Sequence, residues 1–316
     1  MTALFVSDHL NGYLPEYFRK AISAATQLDS DLHVLLVGEN SAEAASRAAL
    51  IAGIGKVFFV QGESLAHRLP EPLTELLAGL APSYSAILAA HSGFGKNILP
   101  RLAAHLDVGQ VSGCVRIINP TIFERTIYAG NALETVELLS SPKILTIEPT
   151  GFEAMEDKKL PASVEELVWN RSCSLSSFVQ NIASESTGID LSSAKTVIAF
   201  GRALGTRDDV DHLIRPLAKL LNAGIGATRS AVDDGLAPND WQIGQTGKII
   251  APDLYIGIGL SGAIQHQAGI RQARVIVAIN QDETAPIFSL ADYALAGDLF
   301  EIVPELIQQL QDRTQN

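Results

Sequence analysis

Residues 254–266, LYIGIGLSGAIQH, contain small and polar residues of the types found in anion-binding turns. Gly259, Ser261 and Gly262 follow a short apolar run, and small residues let the backbone approach a ligand closely. A helix that begins at about Ala263 would point its first N–H groups out of this turn, where these amides and the helix dipole favour an anion. The stretch therefore predicts a phosphate-binding turn at the carboxyl end of a strand.

Two polar side chains and a second strand end extend this candidate site. Gln265 and His266 fall in the first turn of the predicted helix, so their polar groups can reach a ligand above the glycines. The chain then passes through the apolar run VIVAI to Asn280, at a strand end of the kind where ligands of α/β proteins collect. Taken alone, a strand, a small-residue turn and a helix also describe an ordinary tight turn, so both interpretations stay open here.

Two arginines and a glycine-containing turn lie in the same part of the chain. Arg202 follows the apolar run TVIAF and Arg229 follows the short run GIGAT, so each guanidinium is predicted at the end of a strand. A guanidinium can bind two phosphate oxygens at once, although each arginine could equally be an ordinary surface cation. In WQIGQTG, Gly244 and Gly247 allow the backbone to fold close to a flat ring.

The order of apolar and amphipathic runs predicts an α/β fold. From residue 2 to residue 90, strand-like and helix-like runs alternate with short connections, which predicts a parallel sheet flanked by helices. Shorter β-rich runs after Asp107 favour antiparallel pairing, and residues 151–170 are polar enough to form a surface excursion. A second alternation of strands and helices begins with TVIAF at residue 196.

Length and composition predict two domains, each with a mainly parallel sheet flanked by helices. At 316 residues the chain exceeds the size at which one hydrophobic core usually suffices. A segment rich in Ser and Thr precedes the second alternation, so we place the boundary near residues 185–195. The predicted domains are residues 1–190 and residues 191–316.

Charge, cysteine content and hydropathy argue against several classes of protein. A net charge of −12 would repel a nucleic-acid backbone, so nucleic-acid binding is not expected. Cys114 and Cys173 lack any metal-binding spacing, so no metal site is expected either. No apolar run reaches the roughly 20 residues that span a bilayer, and the opening MTALFVSDHL lacks the basic start of a secretory signal. We expect a protein that is not membrane-embedded and has no targeting segment.

The string LYIGIGLSGAIQHQAG, with AIN following it, closely resembles the signature of the electron transfer flavoprotein alpha subunit. The similarity covers most of residues 196–310, including GATRSAVDDGLAPNDWQIGQTGKIIAPDLY and APIFSLADYALAGDLFEIVPEL. The small departures from the usual family residues are at Gly257, Leu260, Ala203 and Thr228. The resemblance implies that the C-terminal domain is a doubly wound fold that binds FAD.

By this resemblance, residues of all three turns contact FAD. Arg202 is implied near the pyrophosphate and Arg229 over the isoalloxazine ring, where a fixed cation stabilises the negative charge gained on reduction. Thr246 is implied near N5 and O4, Gln245 beside the ribityl chain, and His266 as a donor to N1 and O2 in either protonation state. The predicted cofactor-binding residues, with the adenosine end last, are Arg202, Thr228, Arg229, Ile243, Gly244, Gln245, Thr246, Ser261, Gly262, Ala263, Ile264, Gln265, His266, Asn280, Asp298 and Leu299.

No nucleophile elbow, general base with a substrate pocket or metal cluster is recognisable in the sequence. The resemblance accordingly implies an electron carrier rather than an enzyme. An obligate beta subunit that carries AMP is implied, and TIFERTIYAG resembles the segment that brings the first domain toward it. Electrons would pass from a flavin dehydrogenase, such as an acyl-CoA dehydrogenase of fatty acid beta-oxidation, to a membrane quinone oxidoreductase. This would take place in the bacterial cytoplasm, with the flavin domain swinging on the Ser-rich joint.

Two alternatives stay open. A specialised paralogue that serves nitrogen fixation, carnitine reduction or flavin-based bifurcation with NADH would share these motifs, and a second flavin in the heterodimer would identify the bifurcating case. A non-redox module that binds a dinucleotide would share the doubly wound fold, and the absence of a flavin absorption spectrum would identify it.

Overall fold

The computed structural model describes residues 2–15, 17–128, 130–180, 189–191 and 194–314. The chain forms two compact units, Met1–Asn181 and Ile182–Asn316. Each unit has a sheet that is wholly or mainly parallel, with helices packed on it, which confirms the predicted α/β fold class. Part of the predicted joint at residues 185–195 lies outside the described residues, so the boundary at residue 190 stays a prediction.

The first unit is built on a sheet with the strand order β7-β6-β5-β8-β4-β1-β2-β3-β9. Its strands are β1 (Thr2–Ser7), β2 (Asp31–Val37), β3 (Ile54–Val60), β4 (Ala86–Ala90), β5 (Gln110–Ile117), β6 (Ile122–Ile127), β7 (Ala132–Glu137), β8 (Lys143–Ile147) and β9 (Ser163–Glu166). Its helices are α1 (Phe18–Leu28), α2 (Ser41–Ala48), α3 (Pro70–Leu80) and α4 (Gly93–Leu106). The pairs β5–β6 and β6–β7 are antiparallel, as the β-rich runs predict, and the other pairs are parallel.

The apolar strands of the first unit are buried on both faces. In β1, Ala3 and Phe5 pack into the core beneath α1 and α2, whereas Leu4 and Val6 pack into the core beneath α3 and α4. Successive side chains of a strand point to opposite faces, so a strand covered by helices on both sides needs an unbroken apolar run. This explains the sequence ALFV.

Strand β9 differs from the prediction of a surface excursion over residues 151–170. It pairs in parallel with β3 and extends the sheet by one edge strand. All four of its residues are exposed, so no apolar alternation marks them as a strand. Its backbone hydrogen bonds to β3, and not its side chains, therefore define it as a strand.

The second unit is built on a fully parallel sheet with the order β11-β10-β12-β13-β14. Its strands are β10 (Thr196–Phe200), β11 (Gly224–Ala227), β12 (Leu254–Ile258), β13 (Ile276–Asn280) and β14 (Tyr293–Ala296). Its helices are α5 (Arg207–Asp209), α6 (Arg215–Leu221), α7 (Arg229–Asp233), α8 (Ile264–Gln267) and α9 (Leu299–Thr314). A π-helical turn, Val210–Ile214, joins α5 to α6. The chain runs from β10 outward to β11 and then returns to the other side of β10, as a doubly wound sheet does.

None of the helices within the described residues is long and apolar enough to cross a membrane.

We predict that Gly95→Ala destabilises the first unit. Gly95 lies in the first turn of α4, and a Cβ built on it would be 2.0 Å from the backbone oxygen of Ala90. Because the added Cβ would clash with a backbone atom, which cannot rotate away, the helix must shift away from β4. This shift should lower the free energy of unfolding by about 1–3 kcal/mol. Urea unfolding followed by Trp169 fluorescence, in a Trp241→Phe background that leaves one tryptophan, measures this cost.

The matched control for this prediction is Gly93→Ala, two residues earlier in the same helix. A Cβ at Gly93 meets no atom within 4 Å, and alanine restricts the unfolded chain, so the variant should be as stable as the parent or more stable by up to about 1 kcal/mol. Equal losses of stability in the two variants would contradict the packing argument.

Candidate functional site

A cleft of about 710 Å³ opens at the carboxyl ends of the strands in the second unit. Its volume lies within the range of small-molecule and cofactor sites, roughly 300–1,000 Å³. Loops that follow β10, β11 and β12 line it, together with residues 242–246. Twelve of the predicted cofactor-binding residues line this one cleft, namely Arg202, Thr228, Arg229, Ile243, Gly244, Gln245, Thr246, Ser261, Gly262, Ala263, Gln265 and His266.

The cleft lies where the strand order reverses, between β10 and β12. The loops that leave these two strands touch each other, since a Cβ on Gly201 would be 2.3 Å from the backbone oxygen of Gly259. Gly259 itself has a left-handed φ of +58°, which a glycine adopts without strain. In open α/β sheets this crevice is the usual place for a ligand.

The turn after β12 has the small-residue geometry predicted for it. Gly262 has a left-handed φ of +71°, and a Cβ there would be 2.6 Å from the Cβ of Ile287. Ala263 precedes helix α8 and, having no polar side-chain atom, makes no side-chain capping hydrogen bond to it. The side-chain amide of Gln267 donates to the Gly262 carbonyl at 2.8 Å and holds the turn closed. Helix α8 therefore begins where predicted, although it has only four residues.

Both predicted arginines are largely exposed at the cleft. The side chain of Arg202 is 72% exposed and lies 4.0 Å from Asp234, and that of Arg229 is 71% exposed and lies 3.5 Å from Asp233. Ion pairs with this much exposure contribute little to stability. The hydroxyl of Thr228 accepts the Ala231 N–H at 3.3 Å and caps α7, the helix that begins at Arg229. The guanidiniums are thus positioned by their backbone and remain available to an anionic ligand.

Residues 242–247 form a turn that docks against α8. A Cβ on Gly244 would be 2.7 Å from the Gln265 carbonyl oxygen, and the Gln245 N–H donates to that same oxygen at 2.8 Å. The buried Gln242 donates from Nε2 to the Thr246 hydroxyl oxygen at 2.9 Å. Because this bond occupies the oxygen as an acceptor, the Thr246 hydroxyl keeps its own proton to donate.

His266 is buried, and both of its ring nitrogens are hydrogen-bonded within the protein. Nδ1 lies 3.1 Å from the Ile243 carbonyl oxygen and Nε2 lies 2.7 Å from the Tyr255 hydroxyl. A carbonyl can only accept, so Nδ1 carries the proton and the neutral ring accepts the Tyr255 proton at Nε2. Burial lowers the pKa of His266 to about 4. The ring is therefore neutral at pH 7, and the predicted donation to a flavin stays a prediction that would require one of these bonds to exchange.

Four of the predicted residues do not line the cleft. Ile264 is exposed on α8, and Leu299 packs in the core with a methyl group 2.7 Å from a Cβ built on Gly259. Asn280 donates from Nδ2 to the Leu260 carbonyl at 2.9 Å, and Asp298 accepts the Phe300 N–H at 2.8 Å. These groups support the loops beside the cleft, and their predicted contact with a cofactor stays a prediction.

Several residues of the site were not predicted from the sequence. Ser230, Asp233 and Gln242 line the cleft, and Tyr255 bonds His266 from beneath it. Asp233 could have been found as the helical i,i+4 partner of Arg229. Tyr255 carries a weaker signal, a single hydroxyl within the otherwise apolar strand LYIGI.

We predict that the stability of the second unit depends on pH through His266. Because the folded-state pKa of about 4 lies below the ordinary value of 6.5, protonation favours the unfolded chain. The contribution of the neutral ring is fully present above pH 6.5 and is lost as the pH falls toward 4, by up to about 3 kcal/mol. Urea unfolding at a series of pH values, followed by Trp241 fluorescence in a Trp169→Phe background, measures it.

His266→Asn removes the titrating ring and should flatten the curve of unfolding free energy against pH between 6.5 and 4. His212→Asn, which replaces an exposed histidine of the same unit, is the matched control. Carboxyl groups contribute to every variant and cancel in the difference. A curve that keeps its full slope in His266→Asn would refute the assignment.

Comparison with known proteins identifies relatives over nearly the full length of the chain. Residues 3–168 match the family model of the electron transfer flavoprotein domain, and residues 190–271 match that of the electron transfer flavoprotein FAD-binding domain. The chain is 47% identical over 310 residues to electron transfer flavoprotein subunit alpha of Bradyrhizobium diazoefficiens, and the alignment covers 98% of each chain.

Two further relatives carry the same name. The subunit from Pseudomonas aeruginosa is 44% identical, with 97% of this chain and 99% of that one covered. The subunit from Paracoccus denitrificans is also 44% identical, with 98% and 100% covered. Together with the two domain matches, these identities confirm the resemblance: the chain belongs to the electron transfer flavoprotein alpha-subunit family.

Proposed function

We propose that this chain carries FAD and forms, with a beta subunit, a heterodimeric electron carrier. One observation supports this proposal above the others: Arg229, Thr246 and His266, which are far apart in sequence, line a single cleft at the strand-order reversal of a doubly wound sheet. That position and the two exposed guanidiniums suit a dinucleotide with a pyrophosphate. The family to which the chain belongs has an electron-transfer role.

The residues of the cleft fit FAD by their chemistry. The turn at Gly259–Gly262 lines the cleft, and Ser261 is an exposed donor there. Gln245 and Thr246 are exposed along the neighbouring turn and would bond the ribityl chain and the ring edge. Bound FAD would supply the redox chemistry, since its flavin ring takes up and releases electrons.

The protein contributes orientation and electrostatics to that chemistry. The Arg229 guanidinium would stabilise negative charge on the ring. The Thr246 hydroxyl, whose oxygen already accepts a hydrogen bond from Gln242, would donate a hydrogen bond to an acceptor of the ring. The neutral His266 ring would contribute a contact surface and a dipole to the cleft, but no net charge. We propose that the protein acts as a carrier between other redox proteins and not as an enzyme with its own substrate.

The beta subunit is the proposed partner of the first unit. The antiparallel hairpin β6–β7 ends in the exposed side chains of Tyr128 and Leu133, and exposed apolar side chains are common at protein interfaces. We propose AMP in the beta subunit, an acyl-CoA or related flavin dehydrogenase as the electron donor, and a membrane quinone oxidoreductase as the acceptor. The proposed location is the bacterial cytoplasm. We also propose that the domain joint near residue 190 allows the flavin to reach each partner.

We predict that the chain, expressed together with the beta subunit from the same genome, purifies as a yellow heterodimer. Absorption spectroscopy and nucleotide analysis of the denatured supernatant should yield one FAD per alpha subunit and one AMP per heterodimer. A colourless heterodimer would refute the FAD proposal in favour of a non-redox dinucleotide module. Two flavins per heterodimer would instead identify a bifurcating paralogue.

We predict that Arg229→Gln lowers the reduction potential of the bound flavin. The side chain is 71% exposed before a ligand covers it, so its loss should cost at least about 1 kcal/mol of stabilisation of the added negative charge, or about 40 mV for one electron. Redox titration of the heterodimer measures the shift. Arg313→Gln, at an exposed arginine on α9, removes the same charge away from the cleft and should leave the potential unchanged. Equal shifts in the two variants would refute a local role for Arg229.

A further inference from the structure

We propose that Tyr255 is a positioning residue: its hydroxyl holds the ring of His266 in place and, through that ring, the turn at residues 242–247. The consequence for a cofactor rests on the proposed function above. The position of the ring does not, since the residues that hold it belong to this chain.

Tyr255 carries a polar group within a core cluster of apolar side chains. It lies within β12, its side chain is fully buried, and its neighbours in that core include Ala199, Ile243 and Ile270. Its hydroxyl bonds the Nε2 atom of His266 at 2.7 Å. A buried hydroxyl without a partner costs free energy, so this bond restricts the position of the imidazole.

The direction of the hydrogen bonds follows from the chemistry of the three groups. The Ile243 carbonyl can only accept, so Nδ1 of His266 donates to it across 3.1 Å. Nε2 of the neutral ring is then an acceptor, and the Tyr255 hydroxyl donates to it. Burial raises the pKa of Tyr255, which keeps the proton on its hydroxyl. Tyr255 therefore donates to His266, and His266 donates to Ile243.

This series joins the strand beneath the cleft to the turn that lines it. Ile243 also donates its N–H to the Ala227 carbonyl at the end of β11, at 3.0 Å. The next two residues are fixed as well, because the Gly244 N–H bonds the Lys248 carbonyl at 3.1 Å and the Gln245 N–H bonds the Gln265 carbonyl at 2.8 Å. The ring of His266 thus links β12 to a turn that is also held by backbone bonds and by the bond from Gln242 to Thr246.

Removing the Tyr255 hydroxyl would leave Nε2 of His266 as a buried acceptor without a partner. The ring can relieve this by rotating toward another donor, such as a group of the cleft. Rotation alters the bond between Nδ1 and the Ile243 carbonyl, which fixes the tautomer. In the native protein the bond from Tyr255 holds the ring against such rotation.

The test compares Tyr255→Phe with Tyr293→Phe, which removes a hydroxyl from an exposed tyrosine of the same unit. Protein with ¹⁵N-labelled histidine is studied by NMR at pH 7, and the His266 signals are assigned by their loss in His266→Gln. The native protein and Tyr293→Phe should show a protonated Nδ1 and an unprotonated Nε2. Tyr255→Phe should keep the protonated Nδ1, which the Ile243 carbonyl requires, but its Nε2 signal should shift because Nε2 no longer accepts the Tyr255 hydrogen bond.

The second measurement is the dissociation constant of FAD from the heterodimer, which should rise about tenfold in Tyr255→Phe and stay constant in Tyr293→Phe. An Nε2 signal in Tyr255→Phe that equals the native signal would overturn the proposal, because Nε2 would then not accept a bond from Tyr255. So would a protonated Nε2 in the native protein, which decides the matter even if Tyr255→Phe fails to fold. An altered Nε2 signal with unchanged FAD affinity would overturn the link to the cleft.

If the heterodimer holds no FAD, the proposed function fails, and the NMR comparison still decides the role of Tyr255.

Discussion

The direct approach of one backbone to another at the strand-order reversal governs the shape of the candidate site. The loop after β10 meets the loop after β12 at Gly201 and Gly259, and the turn at Gly244 meets helix α8 at Gln265. In each case a Cβ would be less than 3.0 Å from a backbone oxygen, and backbone cannot move aside as a flexible side chain can. These contacts bring three loops to one cleft and leave its floor open to a ligand.

The site keeps its net charges exposed and its buried groups neutral. Arg202 and Arg229 remain in contact with water, and their weak pairing with Asp234 and Asp233 leaves most of their hydration intact. His266 lies inside, where burial of a charged ring would be costly, and it is neutral for that reason. A ligand that covers the arginines would exclude water and strengthen their interaction with its anionic groups. The electrostatic interactions of the site are therefore strongest when a ligand occupies it.

The fold follows the sequence most closely where strands are buried on both faces. The run ALFV of β1 and the run TVIAF of β10 are predicted correctly, because alternate residues must each enter an apolar core. Strand β9, SVEE, has all four residues exposed and carries no such pattern, whereas strand β14, YALA, is apolar but equally exposed. Both are strands because β3 and β13 supply backbone hydrogen bonds at the sheet edges. An apolar pattern identifies strands that are buried inside the sheet and does not report pairing at its edge.

The sequence by itself determined which residue types follow the strands of the second unit, and small residues, arginines and hydroxyls at strand ends are types that can bind an anion. It also determined the family, through the string from Leu254 to His266. Only the tertiary structure decided that His266 is neutral and bonded to Tyr255, and that Asn280 and Asp298 bond the backbone beside the cleft. Burial and hydrogen-bond geometry depend on atoms from loops distant in sequence, and those atoms come together only when the chain folds.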